Sequence, residues 1–320
     1  STMMLAGSWV PDDPHEIDFH NLPIVPSKHA IVSDVRHAGG TRVHQHNYLA
    51  HHDGLFWAMW SDGPGVQRVD SALHRDRVPG HDRPGQRVSY AVSVDGLNWS
   101  VARDLSGAPD EGFGWIARGF WQRNGKLLAL ASHFNAPGYT GDGLELHTFA
   151  IEGEDSLTWE HRGMVYDNAM NNFPPKKLPS GAWMMSRRDS VGNVYFLVGG
   201  LEAYDRWDSH PIVQHPDSKL SAEEPYWWVL PDDNIVGLFR DNNRSGYLYR
   251  SFSVDNGRRW SLPVRTNFPD ARSKFCGLRL SDGRYVLVSN PNPKDRDPLA
   301  ISISDDGTVF HWMGYLVGGR

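Results

Sequence analysis

Aromatic residues that close short, polar turns recur along the chain, roughly 50 residues apart. The clearest copy is Ser253-Val-Asp255-Asn-Gly257-Arg-Arg-Trp260, and a copy one residue shorter runs from Ser93 to Trp99. A third is interpreted as Asp305-Asp-Gly307-Thr-Val-Phe310, with Ile303 at the serine position. The two remaining closing aromatics, in degenerate turns, are Trp159 and Trp207. A repeat of this length favours folds that use one supersecondary unit several times.

Two-residue hairpin signals form a second series that keeps step with the first. They are Asp53-Gly54, Asn124-Gly125, Ser180-Gly181, Asp232-Asp-Asn234 and Asp282-Gly283. A short apolar run follows each signal, at 55–60, 126–131, 182–185, 235–239 and 284–288. The two series together describe a four-stranded antiparallel unit used five times, and no window shows helical periodicity. We therefore predict an all-β fold, a β-propeller of four-stranded antiparallel blades.

The composition fits short strands joined by frequent turns. The 32 glycines and 21 prolines are spread without a low-complexity tract, and 13 tryptophans supply large apolar groups for burial. A net charge of −6 at pH 7 argues against nucleic acid as a general partner. The chain has no apolar run long enough to span a membrane. Cys276 is the single cysteine, so a disulfide scaffold is excluded.

The repeat predicts a single propeller domain over residues 1–320. Its blades are placed near 43–103, 112–165, 170–212, 223–264 and 272–317, and residues 17–43 are assigned to the closing blade as two further strands. A propeller has to close its ring, so this arrangement predicts six or seven blades. We expect the strands that complete the ring to follow residue 320.

The Ser-x-Asp-x-Gly-x-x-Trp turn resembles the Asp-box of sialidase-like (BNR-repeat) propellers, and residues 253–260 match every defining position. In such a turn the aspartate accepts hydrogen bonds, the glycine adopts a left-handed backbone and the tryptophan packs between blades. The resemblance implies that Asp95, Asp255 and Asp305 are scaffold residues on the face opposite the active site. It places the functional face at the starts of the innermost strands and in the loops after the second strands.

Basic and amide side chains collect on that predicted face. Arginines occur there in several blades, and an acidic protein with arginines at one mouth is suited to bind a carboxylate through guanidinium contacts. The alternative is that these arginines pair locally with Asp189 and Asp241. The candidate substrate-binding residues are Arg118, Arg187, Arg240, Arg244, Asn172, Lys274 and His44.

Histidines are the main candidates for proton transfer, because the chain has 16 of them. Strand alternation predicts that His44 and His46 share one face. No carboxylate stands at a convincing metal-ligand spacing, so we predict no metal site. His46, near the start of the innermost strand, is the preferred single acid or base, and a hydrogen-bonded structural histidine is the equal alternative.

A closer resemblance is to sialidase-fold enzymes that cleave terminal L-rhamnose-α-1,4-D-glucuronic acid linkages of arabinogalactan-type glycans. It is carried by residues 44–64, 171–189, 224–250 and 271–310, including Arg272-Ser-Lys-Phe and Ser289-Asn-Pro-Asn-Pro-Lys294. The resemblance implies cleavage by β-elimination or by hydrolysis, and the sequence leaves both open. Arginine would neutralise the glucuronate carboxylate while His46 moves the proton, with Tyr226 and Glu224 as second candidates.

Two other functions stay open. An exo-α-sialidase would share the arginines and the Glu224-Pro-Tyr226 stretch, but the Arg-Ile-Pro segment of that family is replaced by Pro23-Ile-Val-Pro26. A non-catalytic glycan-binding propeller could stack sugars on its tryptophans, although alternating aromatics more often form blade core. The tryptophans in question are Trp115, Trp121, Trp227 and Trp228.

The same resemblance bears on partners and location. It implies an anionic oligosaccharide as the partner, while the net charge and the lack of a long apolar run argue against nucleic acid and a membrane. It implies no required cofactor and leaves a structural calcium ion open. It also implies a secreted or periplasmic protein, although residues 3–10 are too short and too weakly apolar to act as a signal peptide.

Overall fold

Five four-stranded sheets make up the fold in this computed structural model, which describes residues 2–37, 43–64, 83–136, 142–151, 158–212 and 219–319. All strand pairs are antiparallel, and each sheet takes its four strands in chain order. Each sheet is therefore a propeller blade that is closed locally by hairpins. The predicted all-β propeller with four-stranded antiparallel blades is confirmed.

The blades are numbered one to five along the chain. Blade one holds β1 (Val43–His52), β2 (Leu55–Gly63), β3 (Arg87–Ser93) and β4 (Arg103–Asp104). Blade two holds β5 (Phe113–Arg123), β6 (Lys126–Asn135), β7 (Glu145–Ile151) and β8 (Trp159–Asp167). Blade three holds β9 (Lys176–Lys177), β10 (Trp183–Arg188), β11 (Val194–Gly199) and β12 (Trp207–Pro211). Blade four holds β13 (Ala222–Val229), β14 (Ile235–Asp241), β15 (Tyr247–Ser253) and β16 (Val264–Pro269), and blade five holds β17 (Cys276–Arg279), β18 (Tyr285–Ser289), β19 (Leu299–Ser304) and β20 (Phe310–Val317).

Tight turns join the first and second strands of the blades at the predicted positions. Asp53 and Gly54 both have positive φ, 49° and 73°, and Asn124 and Gly125 follow them at 52° and 76°. Two consecutive left-handed residues are typical of the type I′ turn, whose twist fits an antiparallel pair. The other three signals separate β9 from β10, β13 from β14 and β17 from β18. The hairpin series therefore located the innermost pair of strands in every blade.

The polar turns are held by their own side chains, as the Asp-box resemblance implies. Asp255 accepts hydrogen bonds from the Arg259 amide at 2.8 Å and from the Ser253 hydroxyl at 3.0 Å. The Trp260 indole donates to the Gly257 carbonyl at 2.8 Å. These bonds satisfy a turn that is otherwise without sheet partners, so Asp255 stabilises the scaffold.

The third turn lies one residue later than predicted. Asp306, and not Asp305, accepts hydrogen bonds from the Thr308 and Val309 amides, at 2.8 and 3.0 Å. Ser304 fills the serine position and donates to Asp306 at 3.0 Å. Glycine directly follows the aspartate in this turn, as it does in the shorter copy at Ser93–Trp99. The prediction was one residue off because it used the spacing of the longer copy at 253–260.

Aromatic side chains fill the space between neighbouring blades. Trp57 of blade one meets Trp159 of blade two edge to face, with ring centroids 5.8 Å apart. Phe196 of blade three stacks on Trp260 of blade four at 4.4 Å. The four tryptophans considered as a sugar platform are buried as well, so they form blade core: Trp115, Trp121, Trp227 and Trp228.

Five blades are found in the part of the chain that the structure describes, where six or seven were predicted. Residues 17–37, expected to supply strands, instead contain the short 3₁₀ helices Phe19–Asn21 and Val35–His37, while residues 38–42 lie outside the described ranges. Prolines 23 and 26 lack the amide donors that a strand needs. Among the described residues, the segment's strand-like pairing with the sheet is an isolated bridge between Ile24 and Tyr315 of β20, while Phe19 and Leu22 pack in the core. No helix in the described ranges is long and apolar enough to cross a membrane.

Candidate functional site

The innermost strands of three blades are interrupted by β-bulges at corresponding positions. The pairing register breaks between Gln45 and Tyr48 in blade one, between Ala117 and Gly119 in blade two, and between Glu223 and Tyr226 in blade four. His46, Gly119 and Glu224 take positive φ there, of 54°, 101° and 46°. Bulges re-aim side chains and cluster near active sites. We use the name mouth for the residues at these bulges, for two residues of the other blades, and for the side chains that contact any of them. The bulge residues are His46, Arg118, Glu223 and Glu224, and the other two are Asn172 and Arg272.

Hydrogen bonds between blades show that the mouth surrounds one axis. Lys274 of blade five donates to the Tyr48 hydroxyl of blade one at 2.7 Å. The same hydroxyl donates to the backbone carbonyl of Asn172, which leads into blade three, at 2.6 Å. Asn171 in turn donates to the Arg118 carbonyl of blade two at 3.2 Å. Lys274 and Asn172 thus lie at the centre, where the blades meet.

His46 is anchored toward blade two. Its Nδ1 lies 2.8 Å from the Ser61 hydroxyl oxygen, which also accepts the Ala117 amide at 2.9 Å. Ser61 is fully buried, so this bond fixes the orientation of the imidazole. It also couples His46 to the strand that carries Arg118.

His44 lies on the other side of the same blade, which corrects the prediction that His44 and His46 share a face. The His44 ring contacts Trp60, and its Nε2 lies 3.7 Å from Asp62 Oδ1. Asp62 and Ser61 are consecutive in β2 and therefore point to opposite faces. The bulge that gives His46 a positive φ breaks the alternation on which the prediction relied.

Arg118 is buried with an unsatisfied donor. Its side chain is 2% exposed, and its Nε has no hydrogen-bond partner among the described residues. The amide oxygens of Asn171 and Asn172 are likewise buried without partners in the described ranges. A guanidinium with spare donors beside unfilled acceptors is suited to a polar ligand.

Two arginine–carboxylate pairs hold the glutamates of blade four, one of them with an arginine from blade three. Arg240 donates to Glu224 at 3.0 Å, and Arg188 Nε lies 3.2 Å from Glu223 Oε1. Burial raises the pKa of Glu223, although Arg188 acts in the opposite direction. Arg240 and Glu224 are both about one-sixth exposed, so the pair is accessible yet partly desolvated. Asn242 also donates to Glu223 at 3.1 Å.

A third carboxyl group, that of Asp270, lies close to the Arg240–Glu224 pair. Asp270 is 3% exposed and accepts the Arg272 amide at 3.0 Å. Burial raises its pKa to about 7, against the lowering effect of the Arg272 amide and Arg240. Arg296 donates to the Arg272 carbonyl at 2.9 Å, and burial followed by the charge of Arg240 lowers its pKa. Asp270 can therefore hold or release a proton near neutral pH beside several guanidinium groups.

The remaining predicted residues have other surroundings. Tyr226 is buried, its hydroxyl donates to the Gly277 carbonyl, and burial raises its pKa. Arg187 stacks over the rings of Tyr166 and Tyr195, at 5.0 and 4.6 Å, so it packs against blade side chains. Arg244 lies in an exposed turn with φ of 62°. Arg188, the neighbour of Arg187, is the one that pairs with a mouth carboxylate.

The sequence places Ser61, Arg188 and Glu223 on the predicted face without a specific role, and it did not identify Asp270 or Arg296. A local signal marks the bulges themselves: a polar residue, then Asn, Gly or Pro, then an aromatic ring. The three instances are His46-Asn-Tyr48, Arg118-Gly-Phe120 and Glu224-Pro-Tyr226. Asp270 and Arg296 carry no such signal, because the chain fold alone brings them to the mouth.

No group of three or more histidine, cysteine, aspartate or glutamate side chains in the described ranges is arranged to hold a metal ion. The side chains named above place acidic, imidazole and guanidinium groups at the mouth. Together they can bind an anion, neutralise its charge and transfer a proton.

Comparison with known proteins begins with the sequence. A family model for the BNR repeat-like domain matches residues 78–318. No curated protein matches the sequence well enough to count as a relative.

Solved structures of similar fold include three informative examples. The intramolecular trans-sialidase from Ruminococcus gnavus aligns with a TM-score of 0.63 at 12% identity, over 91% of this chain and 88% of that one. The NanB sialidase from Streptococcus pneumoniae aligns with a TM-score of 0.62 at 12% identity. The alignment covers 88% of this chain but only 62% of NanB. A protein of unknown function from Dyadobacter fermentans DSM 18053 aligns with a TM-score of 0.59 at 14% identity, over 88% of this chain and 96% of that one. At such identities the likeness shows the fold alone.

Proposed function

Because the chain belongs to the BNR repeat-like domain family, we propose that its mouth binds the carboxylate of an anionic glycan and cleaves the adjacent glycosidic bond. The preferred substrate is the terminal L-rhamnose-α-1,4-D-glucuronic acid unit of arabinogalactan-type glycans. One observation carries the proposal: His46 is held by Ser61 against the strand of Arg118, a buried guanidinium with a spare donor. This arrangement supports a role for His46 as an acid or base and for Arg118 as the carboxylate binder.

In this proposal Arg118 and Arg240 neutralise the glucuronate carboxylate, which acidifies the proton on C5. For elimination, His46 removes that proton, and the electron pair of the broken C5–H bond forms the C4–C5 double bond. The C4–oxygen bond then breaks, and the rhamnose oxygen leaves and takes up a proton. For hydrolysis, the bond between rhamnose C1 and glucuronate O4 breaks while His46 or Asp270 protonates O4. Water forms the new bond to C1 and releases a proton to the solvent.

A second candidate is an exo-α-sialidase, and the Arg118 guanidinium supports it. A buried guanidinium with a spare donor suits the binding of a sialate carboxylate as well as that of a uronate. NanB and the Ruminococcus protein, which share the fold, are named as a sialidase and a trans-sialidase. Tyr226 gives this candidate no support, because its hydroxyl is buried and bonded to the backbone.

Incubation of the protein with gum arabic and, separately, with a sialyl reporter tests the proposal. Free rhamnose together with the ultraviolet absorbance of an unsaturated uronate indicates elimination, and rhamnose without that absorbance indicates hydrolysis. Release of sialic acid without rhamnose would replace the preferred substrate by the second candidate. Binding of either glycan without any product would identify a non-catalytic propeller and overturn both enzyme proposals.

A further inference from the structure

A cavity of about 510 Å³ lies outside the mouth, between the N-terminal segment (residues 2–25) and the last strand, β20. Its walls include Trp9 and Trp312, and Ile17, Leu22 and Met313 contribute apolar surface. Glu16, Asp18 and Asn21 add polar groups. None of these residues takes part in the site described above. The volume lies within the range of small-molecule sites.

Both indole rings of the cavity are held in place by close packing on a glycine. The Trp9 indole donates to the His311 carbonyl at 2.9 Å, and a Cβ atom at Gly7 would lie only 2.6 Å from that indole nitrogen. A Cβ atom at Gly314 would collide with the Trp312 ring. The aromatic walls are therefore fixed before any ligand arrives, which lowers the entropy cost of binding.

The charge of the cavity is opposite to that of the mouth. Glu16 and Asp18 stand on either side of the buried Ile17, and both are exposed. Within the described ranges neither carboxylate forms an ion pair, and no lysine or arginine lines the cavity. Such a cavity repels uronates and sialates and attracts a cation.

We propose that this cavity binds a cationic sugar residue, a hexosamine with a free ammonium group. Indole faces stack on the apolar face of a sugar ring and attract a nearby ammonium group. Glu16 and Asp18 supply charge-assisted hydrogen bonds to that ammonium, and Asn21 supplies one to a hydroxyl. The inference goes beyond the proposed function and does not depend on it, since no bond is cleaved here.

Calorimetric titration of the full chain with fully deacetylated chitobiose tests the inference. Its controls are N,N′-diacetylchitobiose and cellobiose, which keep the two rings and lack the charge. We expect the deacetylated sugar to bind about tenfold or more tightly than either control, and added salt to weaken that binding. Trp312→Ala and the double variant Glu16→Gln/Asp18→Asn should each lower the affinity by about tenfold. The matched control Glu111→Gln removes an exposed carboxylate from the turn before blade two and should leave the affinity unchanged.

Three outcomes would overturn the inference. Equal binding of cellobiose would show a neutral-sugar site, and equal binding of trilysine would show a site for basic peptides. Absence of binding by any of these probes would leave the cavity without a ligand role.

Trp312→Phe keeps an aromatic wall and should retain most of the affinity, which separates loss of stacking from loss of folding. Because the titration requires no turnover, an inactive mouth would not affect its result.

Discussion

At the scale of single residues, the mouth is built from strained backbone. His46, Glu224 and Arg272 all take φ values near +50°, a conformation that costs a residue with a Cβ atom about 1–3 kcal/mol. Such strain persists only where the surrounding structure enforces it. The hydrogen bond to the buried Ser61 holds His46 in this conformation, and the ion pair with Arg240 holds Glu224. The strain coincides with the polar groups that we propose to be functional.

Replacement of His46 by alanine tests its proposed role in proton transfer. Under the proposed function, the variant should release rhamnose about 10²–10⁴ times more slowly, because a positioned acid or base contributes that factor. His51→Ala provides a matched control, since His51 is an exposed histidine at the far end of the same strand. Both rates are measured on gum arabic at saturating substrate. A His46→Ala enzyme of full activity would assign His46 a structural role.

The Arg240–Glu224 pair allows stability and binding to be separated. Arg240→Ala leaves Glu224 unpaired in a site that is mostly buried, so we expect a loss of about 3 kcal/mol in the free energy of unfolding. Glu224→Gln in the Arg240→Ala background removes the unpaired charge and should restore most of that stability. The KM for the anionic glycan should stay about tenfold or more above wild type in both variants. If the double variant recovered KM as well, Arg240 would not be a substrate binder.

At the scale of elements, blade two carries a row of histidines across β6, β7 and β8. His147 Nδ1 lies 2.8 Å from His161 Nε2, and the ring centroids of His133 and His147 are 6.2 Å apart. Burial, followed by the charges of His161 and His133, lowers the pKa of His147 to about 4. Glu145 and Asp110 are the carboxylates nearest to the row. The folded blade therefore prefers a neutral His147.

This preference predicts an acid-sensitive blade. The pKa of His147 is lower in the folded state, about 4, than the 6.5 of an unperturbed histidine, so the unfolded chain binds more protons between these values. The stabilising contribution is complete above pH 6.5 and is lost as the pH falls toward 4. Urea unfolding at pH 7 and pH 5 should show that wild type loses about 2 kcal/mol more than His147→Gln. His311→Gln, at an exposed histidine, should behave like wild type, and equal losses in all three proteins would contradict the prediction.

The strands and turns could be predicted because their signals are local. The errors arose at positions where a shift of one residue changes the face on which a side chain lies. Hairpin turns and Asp-boxes specify themselves within a few residues, so the strand order of each blade followed from the sequence. A shift of one residue moves a side chain to the other face of a strand. That shift separates Asp306 from Asp305 and Arg188 from Arg187. A bulge has the same effect, and at His46 it reversed the predicted face.

At the scale of the whole molecule, contacts distant in sequence decide what local patterns could not. Asp270 and Arg296 join the mouth only because blades four and five lie side by side, and no turn or strand pattern marks them. The number of blades likewise depends on how the ring is arranged, which no single repeat encodes. Charge is also separated at this scale, since a protein of net charge −6 collects guanidinium groups at its mouth and carboxylates at the N-terminal cavity.

Asn267 connects the N-terminal segment to the propeller, and its substitution should affect stability alone. Its Oδ1 accepts the amides of Met4 and Leu5 at 2.7 and 2.9 Å, and its Nδ2 donates to the Leu5 carbonyl at 2.9 Å. Asn267→Ala removes all three bonds and should cost about 2–3 kcal/mol in the free energy of unfolding. Asn267→Asp keeps the acceptor and loses the donor, so it should fall between alanine and wild type.

Chemical denaturation measures the three free energies, and the rate of glycan cleavage at a temperature where all three proteins are folded provides the control. Because the side chain of Asn267 bonds to Met4 and Leu5 and not to a mouth residue, that rate should not change. The predicted order is wild type, then Asn267→Asp, then Asn267→Ala. Equal stabilities would show that the N-terminal segment is bound by its apolar side chains alone, among them Met4, Leu5 and Phe19 in the core shared with blades four and five.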